Sequence, residues 1–254
     1  IGQGFSGLTG GRTNKETLKL RGGINASKIT VPNYTVLDTK EVVLLQLSGT
    51  NDVFVTNADQ ASGQQIEIRG GIIDGNKDNQ TASAGTISGD PFRNAISFES
   101  VQDSLIENVT ILNSNNHAVY LRNCVNLKVS KNTIKHSRKE GVTTRSGSTL
   151  FIIDNEFYNT GWSFITTVMT PDTHIEGNIG DTTNPSTSAC SPNSLRNIVK
   201  CNTFKNAYTG VAIAQSNSPD FDATGSVIEG NLILNISGDG ITANGFAMSG
   251  LTIK

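Results

Sequence analysis

Charge, cysteine, tryptophan and long apolar runs are all scarce in this chain of 254 residues. Charged residues make up 17%, below the usual quarter, and the net charge is −2. No global basic surface therefore exists to hold nucleic acid. No stretch approaches the roughly 20 apolar residues that cross a bilayer, which argues against membrane insertion. Three cysteines (Cys124, Cys190, Cys201) supply neither a disulfide framework nor metal-ligand spacing. Cys190 and Cys201 are near enough in sequence to pair, but the odd count favours buried thiols. Sustained helical periodicity is missing too. No leader segment is visible and the chain opens at Ile1, as a processed or trimmed chain would, so this says nothing about secretion. In place of charge the sequence carries 26 glycines and frequent Asn, Ser and Thr, a mixture suited to turns and hydrogen-bonded ladders.

The informative presence is an asparagine that recurs through the middle of the chain. Asn108, Asn132, Asn155, Asn178 and Asn202 are spaced by 24, 23, 23 and 24 residues, and Asn231 follows after 29. Two or three residues later comes an apolar residue or a glycine (Ile111, Ile134, Phe157, Gly180, Phe204, Ile233). Val119, Val142 and Ile165 precede their asparagine by 13 residues, and Ile96 precedes Asn108 by 12. Each unit holds three short runs of alternating β-type pattern separated by turn residues. A fixed period of this length means stacked units that bury a shared core. The expected fold is all-β: a single-stranded right-handed parallel β-helix with three short strands per 23–24-residue coil. It is read as one domain over residues 1–254, with 1–24 as an N-terminal cap or lead-in. Residues 76–93 and 216–224 are insertions that break the period. Leu251–Lys254 falls in the second strand of a coil, an edge expected to be covered by further chain or by a partner. The recurring asparagines are read as structural: they tolerate φ > 0 at a sharp bend and hydrogen-bond to one another. Asn108-Val-Thr is a glycosylation sequon, read as poorly accessible in such a ladder; Asn25, Asn33 and Asn235 begin others.

These repeats, together with Gly70-Gly-Ile-Ile-Asp-Gly-Asn76, resemble the right-handed parallel β-helix proteins of the pectate-lyase-like superfamily. That superfamily holds polysaccharide lyases, hydrolases and phage tailspikes. The resemblance covers roughly residue 25 to the end. Strings typical of its hydrolases (Asn-Thr-Asp, Asp-Asp, Gly-His-Gly, Arg-Ile-Lys) do not occur, nor does the Asn-Lys-Ser string of its alginate-lyase-like branch. Asp239-Gly-Ile241 is what remains of the hydrolase pattern. The resemblance implies a glycan or polysaccharide partner lying across the first sheet, an extracellular or cell- or virion-surface location, and a homotrimer if the chain is tailspike-like.

Laying the repeats in register gives the outward-facing side chains of that first sheet. One column reads Ser97, Tyr120, Thr143, Thr166; its neighbour reads Glu99, Arg122, Arg145, Val168; before the strands come Asn94, His117, Glu140, Ser163. The candidate catalytic residues are His117, Tyr120, Arg122, Arg145, Glu99 and Glu140, and the candidate substrate-binding residues are Trp162, Lys139, Thr143 and Thr166. β-Elimination or epimerisation of a uronic acid needs a cation on the carboxylate (Arg122 or Arg145) and proton-transfer groups (His117 or Tyr120). Hydrolysis needs two carboxylates about 5–9.5 Å apart, and Glu99 with Glu140, two coils apart, fits that poorly. The bland alternative makes Glu99, Arg122 and Arg145 a surface ion-pair ladder worth little. His136, Arg138 and Lys139 form a basic turn at the edge of the same sheet, read as solvated, and His174 is read as structural. Trp162 suits either sugar stacking or burial. Asp74–Asp78 alternates oxygen ligands but lacks an acid at the twelfth position (Gly85), so it reads as a turn. No metal site is assigned; calcium, with Asp220 and Asp222, is the one cofactor left open. The leading expectation is an acidic-polysaccharide lyase or epimerase. A non-catalytic glycan-binding adhesin, phage tail fibre or structural surface β-helix is the alternative.

Overall fold

The computed structural model describes residues 13–81, 93–184, 188–213, 222–243 and 249–254. Among these residues all paired strands are parallel and fall into three long sheets, with one short 3-10 turn at Lys77–Asn79. The first sheet runs from Ile29–Val31 to Ile241–Ala243, the second from Glu16–Lys19 to Thr252–Ile253, and the third from Gly22–Ala26 to Leu232–Leu234. The chain visits them in turn, so successive coils stack as a parallel β-solenoid, the architecture expected from the period. Glu16–Lys19 and Gly22–Ala26 are already paired into the stack, so the first coil begins inside the stretch read as a lead-in. Residues 1–12, most of both insertions, and Asp220 lie outside the described residues. Thr252–Ile253 pairs with Val227–Glu229 in the second sheet.

The core is a stack of Val, Ile, Leu and Phe columns, one inward residue above another. Gly180 occupies the column of Ile134, Phe157 and Phe204 because the Phe164 ring fills that space. Phe164 lies 5.8 Å from Phe157 and 6.0 Å from Phe204, ring centre to ring centre. A second tight point is Gly71, at φ +72°, where an added Cβ would fall on the Thr39 carbonyl. Gly71→Ala is therefore expected to destabilise by roughly 2–5 kcal/mol, from left-handed strain plus overpacking. A thermal midpoint unchanged to within a degree or two would contradict this.

The asparagine ladder is present, with one register corrected. Asn132, Asn155 and Asn178 each donate Nδ2 to the Oδ1 of the next asparagine at 2.9–3.0 Å, and Asn202 does the same to Asn231. Their Nδ2 groups also reach the carbonyls of Ile106, Val129, Ile152 and Ile175. Asn108 is not a rung: Val109 is buried in that place and its N–H donates to Asn132 Oδ1. Ile96 then stands 13 residues before Val109, like its counterparts, and the twelve-residue exception disappears. Nor do the rungs adopt φ > 0. The residue before each rung does: Asn108, Lys131, Asp154, Gly177, Cys201 and Gly230 have φ between 54° and 67°. That residue makes the bend, which turns the following asparagine inward, where its amide satisfies backbone groups that would otherwise be buried unpaired. Asn108 consequently faces solvent, and its sequon is accessible, contrary to the ladder reading.

Cys124 and Cys190 are buried free thiols, and burial pushes the Cys124 thiol up to about 12. Cys201 is exposed at its bend, so the pairing of Cys190 with Cys201 is not formed.

Candidate functional site

The first sheet's register is the one the repeats imply. Ser97, Tyr120, Thr143 and Thr166 pair in sequence, as do Glu99, Arg122, Arg145 and Val168. Neighbouring coils sit about 4.8 Å apart, so these side chains share one patch. In the column before the strands, His117 and Glu140 belong to adjacent coils, and the Ala118 N–H donates to the Glu140 carbonyl.

His117 and Glu140 meet. His117 Nδ1 lies 2.8 Å from Glu140 Oε2 and 3.0 Å from Thr143 Oγ1. Glu140 Oε2 is within ion-pair range but out of line for a hydrogen bond, so Thr143 takes the directed contact. Both partners sit on the same ring nitrogen. Among the described residues nothing engages Nε2, which leaves that nitrogen for chemistry. The Tyr120 ring packs on His117 at 5.3 Å between ring centres. His117, Tyr120 and Glu140 are recessed, at 7, 5 and 8% exposure, so a group must enter the recess to meet them. Burial pushes the Tyr120 phenol above its ordinary value, with Arg145 and Arg122 partly opposing. It therefore keeps its proton at neutral pH, and among the described residues its hydroxyl has no hydrogen-bond partner.

The two arginines divide. Arg122 Nη1 lies 3.5 Å from Glu99 Oε1, a partly exposed pair worth about 0–1 kcal/mol. Arg145 has no ion-pair partner among the described residues. The ladder of three charges is thus one weak pair and one unneutralised guanidinium. Glu99 is further fixed through its backbone, its N–H donating to Asn57 Oδ1 at 3.0 Å. Glu99 and Glu140 stand at opposite ends of their strands. Five residues at about 3.3 Å and two coils at about 4.8 Å separate them by roughly 19 Å. That is a backbone separation, which side-chain reach shortens, and it puts the two carboxylates at or above the upper end of the span of a hydrolytic pair.

Thr166 is half-buried beside Thr143. Trp162 is 37% exposed, and Lys139 Nζ sits 5.1 Å over its ring, so one face of the indole is already occupied. His174 packs on Phe151 at 5.3 Å on the outer face of the second sheet, away from this patch. Asp74 accepts from the Asn76 N–H and from Asn113 Nδ2, and Asp222 from the Thr224 N–H, as turn-forming carboxylates do. Among the described residues no three His, Cys, Asp or Glu side chains converge as a metal site would need. The sequence did not reveal the Lys77–Arg138 contact (Arg138 Nη2 to the Lys77 carbonyl, 2.9 Å), which joins residues 61 apart in sequence.

Residues 94–253 match the right-handed β-helix region, and residues 6–159 match glycosyl hydrolases family 28. No curated protein sequence matches the chain. Among solved structures, an exopolygalacturonase from Thermotoga maritima is 12% identical with a TM-score of 0.64, over 87% of this chain and 68% of that one. A polygalacturonase from Erwinia carotovora is 12% identical with a TM-score of 0.60, over 94% and 86%. A surface protein and adhesin from Streptococcus pneumoniae is 14% identical with a TM-score of 0.54, over 100% and 94%. At these identities the structural likeness shows the fold.

Proposed function

The chain belongs to the right-handed β-helix proteins and, over residues 6–159, to glycosyl hydrolases family 28; membership supports a carbohydrate ligand, and from the side chains of the first sheet we propose that this ligand is an acidic polysaccharide on which the chain acts by proton abstraction. The carrying observation is the division of labour around His117. Nδ1 is held by Glu140 and Thr143, while Nε2, the Tyr120 hydroxyl and the Arg145 guanidinium are left unengaged among the described residues.

In this reading Arg145, whose charge acts on the Tyr120 phenol, reaches back along the strand toward His117 and neutralises the carboxylate of the uronate unit held there, which makes the adjacent C5 proton removable. His117 Nε2 takes that proton. In elimination the C4–O bond then breaks as the C4–C5 double bond forms, and Tyr120 gives its proton to the leaving oxygen. In epimerisation C5 is instead reprotonated on its other face. Glu140 and Thr143 act as positioning residues that fix the imidazole orientation. Thr166 and the free face of Trp162 line the path of the chain. An extracellular or surface location suits a polymeric substrate.

Hydrolysis is the second reading, favoured by the family match over residues 6–159. One assay separates the two. Incubation with polyuronates is expected to produce unsaturated sugar ends, or epimerised units by NMR. New reducing ends without unsaturation would support hydrolysis, and tight binding without turnover the adhesin reading. Arg145→Ala is expected to raise KM for a polyuronate by about 10–100-fold, since a charge-assisted contact is worth roughly 1.5–3 kcal/mol. Arg122→Ala, already shared with Glu99, is expected to change it less than threefold, within the range of an exposed pair. Equal effects of the two would show that Arg145 has no special role.

A further inference from the structure

A second cationic site lies on the turn that leads into the first sheet, and it rests on the polyuronate reading above. Lys77 and Arg138 come from turns two coils apart and cross the turn between them. Lys77 Nζ donates to the His136 carbonyl at 2.7 Å, and Arg138 Nη2 donates to the Lys77 carbonyl at 2.9 Å. The intervening turn is tied in by its own backbone: Lys77 N–H to Asn113, Arg138 N–H to Ser114, and Lys139 N–H to Asn116. That turn continues directly into His117, and Arg138 stands two residues before Glu140. The pair is therefore at the rim of the recess already described.

Neither cation has a direct ion-pair partner among the described residues. Both side chains spend their contacts on carbonyls, and no carboxylate among the described residues is in ion-pair range of either. Arg138 Nε is buried without any hydrogen-bond partner. Burial pushes Lys77 below its ordinary value, with Asp78 opposing and Arg138 adding a smaller push downward, so an arriving anion would offset the cost of holding the ammonium partly out of water. Two adjacent cations with an unmet donor are complementary to a carboxylate rather than to a neutral hydroxyl.

We propose that Lys77 and Arg138 hold the carboxylate of a second sugar unit, at the opposite end of the strands from Arg145. The Arg145 backbone lies five residues beyond that of Glu140 along the strand, roughly 17 Å at about 3.3 Å per residue, and its side chain reaches back toward Tyr120. The separation exceeds one sugar ring, so a chain touching both sites passes over His117 and Tyr120. The two sites would then set a minimum substrate length.

The test is the ratio of affinities for a long oligogalacturonate and for digalacturonate, measured calorimetrically at low salt. In the wild type this ratio is expected to exceed tenfold. Lys77→Gln and Arg138→Gln are each expected to reduce it severalfold or more, and Arg138→Lys, which keeps a cation, to retain most of it. Added salt should shrink the wild-type ratio as screening sets in. If the wild type binds both oligomers with no length dependence, or the glutamine variants keep its ratio, the second site is overturned while the polyuronate reading stands. If Arg138→Lys loses the ratio as fully as Arg138→Gln, the contact is a coil staple and the inference fails. If the wild type binds neither oligomer, the polyuronate reading itself fails. Melting curves of the same variants measure the staple's contribution separately.

Discussion

His117→Ala is expected to lower kcat on a polyuronate by about 10²–10⁴-fold, the usual contribution of a positioned acid or base. The structure separates this from a binding effect, because the carboxylate contact is assigned to Arg145 and not to the imidazole. KM should accordingly change little. Tyr120→Phe is expected to fall in the same range for elimination, since the phenol is the proton donor that burial keeps protonated. Glu140→Gln tests a positioning role. It keeps the shape and removes the charge beside Nδ1, 2.8 Å away. The expected result is a smaller kcat loss with a shifted pH profile and an unchanged KM. Initial rates of unsaturated-product formation across pH check all three. Full turnover by His117→Ala, in a variant that melts like the wild type, would remove the proton-abstraction mechanism.

Asn155→Ala is expected to cost about 3–5 kcal/mol, far more than a typical surface change. Asn155 Oδ1 accepts from both the backbone N–H and the Nδ2 of Asn132, at 3.0 Å each. Its Nδ2 donates to the Val129 carbonyl at 2.9 Å and to Asn178 Oδ1. Truncation strands several buried groups at once, each costing roughly 1–3 kcal/mol when unsatisfied. At about 2–4 °C per kcal/mol for a chain of this size, the midpoint should fall by roughly 6–20 °C. Asn108→Ala is the control. Since Asn108 is an exposed bend residue and not a rung, its loss should cost about 1 kcal/mol or less, from the left-handed backbone alone. Equal losses at the two positions would contradict the register.

The same pair of asparagines shows how far a sequence carries. Asn108 and Asn155 are chemically identical and nearly in period, and only the stack shows that Val109 takes the rung while Asn108 makes the bend. The bend itself was invisible because Lys131, Asp154 and Cys201 occupy it as readily as glycine does. A pattern sought in residue type fails where the backbone demand is imposed by neighbouring coils and met by almost any residue at modest strain.

By itself the sequence determined the three-sheet solenoid and the outward columns of the first sheet. Each coil repeats the same inward–outward alternation, so one period propagates the register along the stack. It therefore places Tyr120 beside Thr143 and Arg122 beside Arg145. Tertiary structure alone decided which members of those columns are engaged. Arg122 turned to Glu99 and Arg145 did not; His117 turned one nitrogen to Glu140 and Thr143; Lys77 and Arg138 met across the coil between them. These choices depend on side-chain reach between coils, over distances of a few ångströms, and a repeat period fixes only where each chain begins.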